Sequence, residues 1–212
     1  MIPQINVAVN DFHSGSYKNI KNIVREAWIR LIEDFYEINT FQSIEVYREE
    51  EQSKIICDKN SIKLNYGISE RDPLFGEDKV YVRSIIFHEF YHLYDRLDTS
   101  FGLNTLKDLG VFYEQEHKKI INVLWDIYIE NRKMHYFNII PFICIPKNTS
   151  GIACRNYIFC NAYTAFTEEC KKSMKNILFR YFSALWNRPK NIKWNHIISM
   201  TAYIKKKNGN FF

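Results

Sequence analysis

Glycine and proline are scarce in this chain, at 7 and 5 of 212 residues. That scarcity excludes collagen-like and low-complexity architectures and points to long helices joined by short loops. Cysteines are few and unpaired by spacing: Cys57, Cys144, Cys154, Cys160 and Cys170 contain no C-x-x-C. An odd count without that spacing argues against a disulfide framework or a zinc ribbon and fits free thiols in a reducing compartment. Long apolar runs are also missing. The most apolar stretch, FNIIPFICI from Phe137, is too short to span a bilayer and contains Pro141. Residues 1–16 lack a basic n-region and a long apolar h-region, so no signal peptide is read there; a cytoplasmic protein without membrane attachment is expected. Nor is there a strong charge excess. The net charge is +5, with basic residues scattered apart from Lys171-Lys172 and Lys205-Lys206-Lys207. Such a balance reads as a solvated tail, and nucleic acid is not an expected partner.

Apolar residues, by contrast, are ample. They make up 46% of the chain and charged residues 25%, enough to bury a sizeable core in one large or two small domains. Aromatics reach 16%, and those rings suit a core or a groove equally. Along residues 17–38, Ile20, Val24, Ala27, Leu31, Phe35 and Ile38 share one face, which predicts an amphipathic helix with Ser16 as N-cap. SIEVY (43–47), SKIICD (53–58) and SIKLNYG (61–67) have period-two character and read as strands of a small sheet. A loop is expected over 68–79. Helices are expected from about Val111 to Tyr136, over 163–187 and over 191–207, with irregular chain at 99–110 and 138–160. The order of elements predicts an α+β fold.

The informative motif is His88-Glu89-Phe90-Tyr91-His92, an H-E-x-x-H. Residues four apart lie on one face of a helix, so both imidazoles can reach one metal ion. The flanks supply the helix: Val82, Ile85, Ile86, Phe90, Leu93 and Leu97 recur at three- and four-residue spacing, with no glycine or proline between Val80 and Phe101. Glu89 can act as general base on a metal-activated water, the chemistry that hydrolyses an amide. The bland alternative is a buried helix with two hydrogen-bonded histidines.

Catalytic zinc normally takes three protein ligands. One register, H-E-x-x-H-x-x-G-x-x-H/D, puts Asp98 at the third ligand and Asp95 where a glycine normally lets the chain turn. A second candidate lies in the next long helix, which is apolar nearly all round from Ile120 to Ile129 except at Asn122 and Asp126, a stripe that Glu130 continues. A buried carboxylate costs several kcal/mol unless paired or metal-bound, and zinc held by His88 and His92 would satisfy Asp126. The weaker alternative is that the stripe is the solvent face, with Lys118 on the same line. Glu114, Glu116, His117 and Glu130 are further candidates for the third ligand. For an oxyanion stabiliser, His135, Tyr163, His196 and Tyr203 are open.

Together the two segments resemble the gluzincin branch of the zincin metallopeptidases. NVLWDIYIEN also resembles the N-x-x-x-D-x-x-I-E segment of predicted metallopeptidases associated with von Willebrand factor A domains and of cobaltochelatase-like proteins. The resemblance covers residues 82–135. It implies a zincin-like α+β fold, in which a small mixed sheet packs on the H-E-x-x-H helix and a second ligand-bearing helix. It implies Zn²⁺ held by His88, His92 and Asp126, with Asp in place of the usual Glu, and Glu130 fixing a zinc-bound histidine. An edge strand, SIKLNYG, would bind an extended peptide. The expected organisation is a metallopeptidase domain over 1–136 and a helical part over 137–212 that completes or caps the cleft. The expected function is zinc-dependent endopeptidase activity on a protein or peptide substrate, with a partner protein in another chain as a further expectation. The alternatives are a catalytically silent zincin-fold binding or adaptor protein, and a metal-free structural protein.

Overall fold

The computed structural model describes residues 2–8, 14–33, 35, 41–47, 54–58, 60–65, 79–103, 115–137, 183–185 and 191–208. Their elements make a mixed α+β architecture with one four-stranded sheet and otherwise helices. Two compact units divide the chain, Met1–Leu97 and Asp98–Phe212.

In the first unit, β1 (Gln4–Val7), α1 (Ser14–Leu31) and β2 (Ser43–Tyr47) form a strand–helix–strand crossover with β1 and β2 parallel. β3 (Lys54–Cys57) and β4 (Ser61–Asn65) follow, and the sheet order is β1-β2-β4-β3. β4 pairs parallel with β2 and antiparallel with β3. Alternation fixes the register. Ile5, Ile44 and Ile62 form one buried row across the sheet, and Val7, Val46, Leu64 and Ile55 the next. A one-residue slip would turn these rows to the other face and expose them. The expectation that SIKLNYG is an edge strand is corrected here: β4 is paired on both sides, and β3 lies at the end of the order. The cause is burial. Ile62, Leu64 and Asn65 of β4 are all buried, whereas β3 buries only Ile55.

α1 buries Ile20, Ile23, Val24, Ala27, Trp28 and Leu31, the i, i+3, i+4, i+7 stripe of a core-facing helix, and packs on β1 and α2. It starts at Ser14, so Ser16 lies inside it and is not its N-cap. Its other end falls at Leu31, short of Ile38. There the N–H groups of Ile32 and Glu33 both bond to the Trp28 carbonyl, which closes the helix, and Phe35 turns out to meet Tyr94 edge-on at 5.1 Å. α2 (Lys79–Leu97) is enclosed on nearly every side: Ile85, Ile86, Phe87, Phe90, Tyr91 and Leu93 are buried. Each such side chain contributes roughly 1.5–3 kcal/mol of burial.

In the second unit, α3 (Gln115–Phe137) packs on α4 (Trp194–Asn208). Phe101 stacks on Tyr128 at 5.7 Å, Trp125 meets Trp194 edge-on at 5.0 Å, and Arg132 lies over Tyr128 at 4.0 Å. Tyr128 Oη donates to the Ile192 carbonyl and Asn131 Nδ2 to that of Leu185. The helix expected over 163–187 is described only at 183–185, which are helical, and the segment 138–160 lies outside the described residues. No helix among the described residues is long and apolar enough to cross a membrane.

Candidate metal centre

α2 carries the H-E-x-x-H motif, and its placement begins one turn earlier. Arg83 grips Glu26 of α1 through two bonds, of 2.7 and 3.2 Å, and lies over the Phe87 ring. Glu26 also pairs with Arg30 at 3.2 Å. That clamp and the buried Phe87 and Phe90 fix the helix about its axis, so one face presents His88 and His92. The two Nε2 atoms stand 3.1 Å apart, with the rings at 75°. Glu89 is buried beside them at 4% exposure.

The chain does not turn at Asp95. The helix continues through it to Leu97, and Asp95 is fully buried. The positive φ falls instead at Gly102 (+88°). Asp98 accepts the Ser100 N–H at 2.9 Å, closing the turn after the helix.

On α3 the polar stripe runs from water to interior: Asn122 is exposed, Asp126 half-buried and Glu130 fully buried. A solvent face does not end on a fully buried carboxylate. Glu130 Oε1 accepts the Lys133 ammonium at 2.6 Å, and both side chains are completely enclosed. His135 and Tyr203 are exposed. His196 is exposed and accepts the Lys193 N–H on Nδ1 at 2.9 Å, reaching back over the first turn of α4 as a capping side chain does. Glu114 and Tyr163 lie outside the described residues, as do the side chains of Glu116, His117 and Lys118.

His88, His92 and Asp126 each offer one ligand atom to a group in which all three lie within 4.8 Å of one another, and that group could hold a metal ion. Among the described residues it is the group of this kind that the side chains make, and Asp98 is not part of it. The donor set is compatible with zinc, which takes imidazole nitrogen and carboxylate oxygen alike; two imidazole nitrogens on one tetrahedral zinc stand about 3.3 Å apart, close to the 3.1 Å found here.

Two nearby residues escaped the sequence reading. Lys133 lies three residues after Glu130, which puts the two side chains on one face of the helix, but its burial there leaves no signal in the sequence. Arg96 continues the His88–His92 line by another four residues, and its Nη1 donates to the Ile55 carbonyl of β3 at 3.2 Å. Cys57 is a free thiol at the surface of β3. Partial burial of its sulfur raises its pKa, and the nearby Arg96 guanidinium opposes that shift.

No protein-family model, curated protein or solved structure matches this chain.

Proposed function

We propose that this protein is a zinc-dependent peptidase of zincin type, gluzincin-like in taking an acidic third ligand from a second helix. The observation that carries the reading is the pair of imidazoles on α2, with Nε2 atoms 3.1 Å apart and a buried glutamate between them in sequence. The grouping of Asp126 with that pair supports it further. His88 and His92 would hold the ion through Nε2, and Asp126 through a carboxylate oxygen. Bound zinc supplies Lewis acidity toward a scissile carbonyl and an attacking water.

Glu89 does the proton work. Its carboxylate takes a proton from the attacking water and delivers it to the leaving amine, a transfer worth about 10²–10⁴ in rate. Burial keeps competing solvent away from that carboxylate. Glu130, four residues on from Asp126, would fix a zinc-bound histidine in one tautomer, the role that the gluzincin resemblance gives it; its Oε1 accepts the Lys133 ammonium at 2.6 Å.

The experiment is hydrolysis of an unstructured protein substrate such as casein by zinc-loaded wild type and by Glu89→Gln, with zinc content measured on both. The reading expects cleavage by wild type alone and equal zinc in the two. Zinc without cleavage in wild type would leave a silent zincin-fold binding protein. Absence of zinc from wild type would leave the structural alternative.

A further inference from the structure

β3 ends the sheet, and the ladder on its inner side fixes what its outer side offers. Asp58 N–H bonds to the Ser61 carbonyl at 2.8 Å, which makes those two a hydrogen-bonded pair. Bonded and non-bonded pairs alternate along an antiparallel ladder. The register Cys57–Ile62, Ile56–Lys63, Ile55–Leu64 and Lys54–Asn65 then turns the backbone groups of Lys54 and Ile56 toward β4, and those of Ile55 and Cys57 outward. Arg96 donates to the outward Ile55 carbonyl at 3.2 Å, which uses one of that oxygen's two lone pairs. Among the described residues, no backbone group pairs with the outward groups of Cys57 or with the Ile55 N–H. The side chains follow a pattern of their own. On the face opposite the buried rows, β3 carries Lys54 and Ile56, and Asp58 continues that line just past its end. Ile56 is 43% exposed, a large apolar side chain left in water, and Asp58 is exposed as well. A cation, an apolar residue and an anion thus stand at even spacing with Ile56 at the centre. Turned end for end, that pattern is its own complement.

We propose that this protein self-associates through β3: a second copy lays its own β3 antiparallel along the outer edge, about a twofold axis at Ile56, so that two four-stranded sheets become one continuous sheet. The inference stands independently of the peptidase reading. Ile55 pairs with Cys57 of the second copy, and Cys57 with its Ile55, each pair exchanging two N–H···O bonds. The Ile55 carbonyl accepts the incoming N–H on its second lone pair, so the Arg96 bond persists. Between and beside these lie the non-bonded pairs, in which side chains come closest. There Ile56 meets Ile56, and Lys54 meets Asp58 once on each side of the axis. Asp58 already has Lys63 at 3.8 Å. A carboxylate accepts on two oxygens and an ammonium donates three times, so the cross-chain pairs add to contacts within the chain. Charge selects the register. Moving the axis to Ile55 or to Cys57 sets Ile56 opposite Lys54 or opposite Asp58 and loses both ion pairs. The occupant is a second copy because the charge pattern of β3 is matched by β3 itself.

The test is sedimentation equilibrium of the full chain in reducing buffer. Wild type should follow a monomer–dimer equilibrium with Kd on the order of 10–100 μM, as suits a small interface. Lys54→Asp and Asp58→Lys each set like charges opposite one another and should each weaken self-association about tenfold. The decisive measurement mixes those two single variants. One then carries only anions at the two positions and the other only cations, so the mixture should dimerise at least as tightly as wild type although neither variant does so alone. The double variant with both substitutions should also recover the wild-type dimer. A disulfide checks the register: Ile56→Cys, made together with Cys57→Ser, should oxidise to a dimer linked through position 56, since Cα atoms about 4.5 Å apart lie within disulfide reach. Each variant should keep the unfolding temperature of wild type, the sites being at the surface. Wild type that stays monomeric throughout overturns the proposal and leaves Lys54 and Arg96 as guards of the strand edge. A dimer indifferent to the single variants overturns it too, by placing the contact elsewhere. So does a mixture that stays monomeric, or a wild-type dimer that oxidises through Cys57 to Cys57, which would move the axis.

Discussion

The Nε2 atoms of His88 and His92 stand 3.1 Å apart on adjacent turns of α2. Two imidazole nitrogens at that distance either share a proton or share a cation, and the carboxylate of Asp126 in the same group favours a cation. Zinc added to a hundredfold excess over its Kd should stabilise the fold by about 2.7 kcal/mol. For a chain of this size that corresponds to an unfolding temperature higher by roughly 5–10 °C. A chelator should reverse the rise, and His88→Ala or His92→Ala should remove it. A rise that persists in the double variant would put the metal elsewhere.

The proposed ligand roles predict an order of losses. Removing an outer carboxylate such as Glu130, by Glu130→Gln, should weaken zinc binding about 10–100-fold. Asp126→Ala should weaken it more, because a direct donor is lost, and Asp126→Glu should restore most of the affinity. Competition with a chromophoric chelator measures all three. If Glu130→Gln costs more than Asp126→Ala, the two carboxylates have exchanged roles.

What could be read in advance was whatever periodicity carries. β2 lies where SIEVY predicts it, because buried and exposed positions alternate along it, and α2 and α3 fall within a few residues of their expected spans, because long apolar-rich stretches free of glycine and proline mark them. β1 was missed: four residues, Gln4–Val7, become a strand only by pairing with β2. α1 was read too long, since Phe35 continues its apolar pattern yet packs on Tyr94 from outside the helix. Which strand ends the sheet was likewise hidden, because strand order is a tertiary fact. In the motif region the sequence names residue types at helical spacing. It does not reveal that Lys133 is enclosed with Glu130 or that Arg96 reaches Ile55, since both depend on what surrounds the helix.

Glu130 and Lys133 predict an asymmetry in stability. Both side chains are fully enclosed and meet at 2.6 Å. Removing one member of a buried ion pair is strongly destabilising, at a cost of about 3–5 kcal/mol. Lys133→Met should therefore be severely destabilising by urea unfolding. Adding Glu130→Gln should recover part of that loss, because the side chain that faced the Lys133 ammonium is then neutral. A double variant less stable than Lys133→Met would show that Glu130 is held by other partners.

Cys57 tests the surroundings of β3 from a different direction. Partial burial of its sulfur raises the thiol pKa, and Arg96 opposes the rise. Alkylation proceeds through the thiolate, so a raised pKa keeps the thiol neutral to higher pH and slows the reaction below it. The rate of iodoacetamide labelling, followed by mass spectrometry of the peptide containing Cys57, should climb at higher pH in the folded protein than in the same chain unfolded in urea. Arg96→Ala should push that profile higher still, because it removes the positive charge that favours the thiolate. A profile that moves down in Arg96→Ala would mean that the guanidinium acts on Cys57 by shielding it from water, and not through its charge.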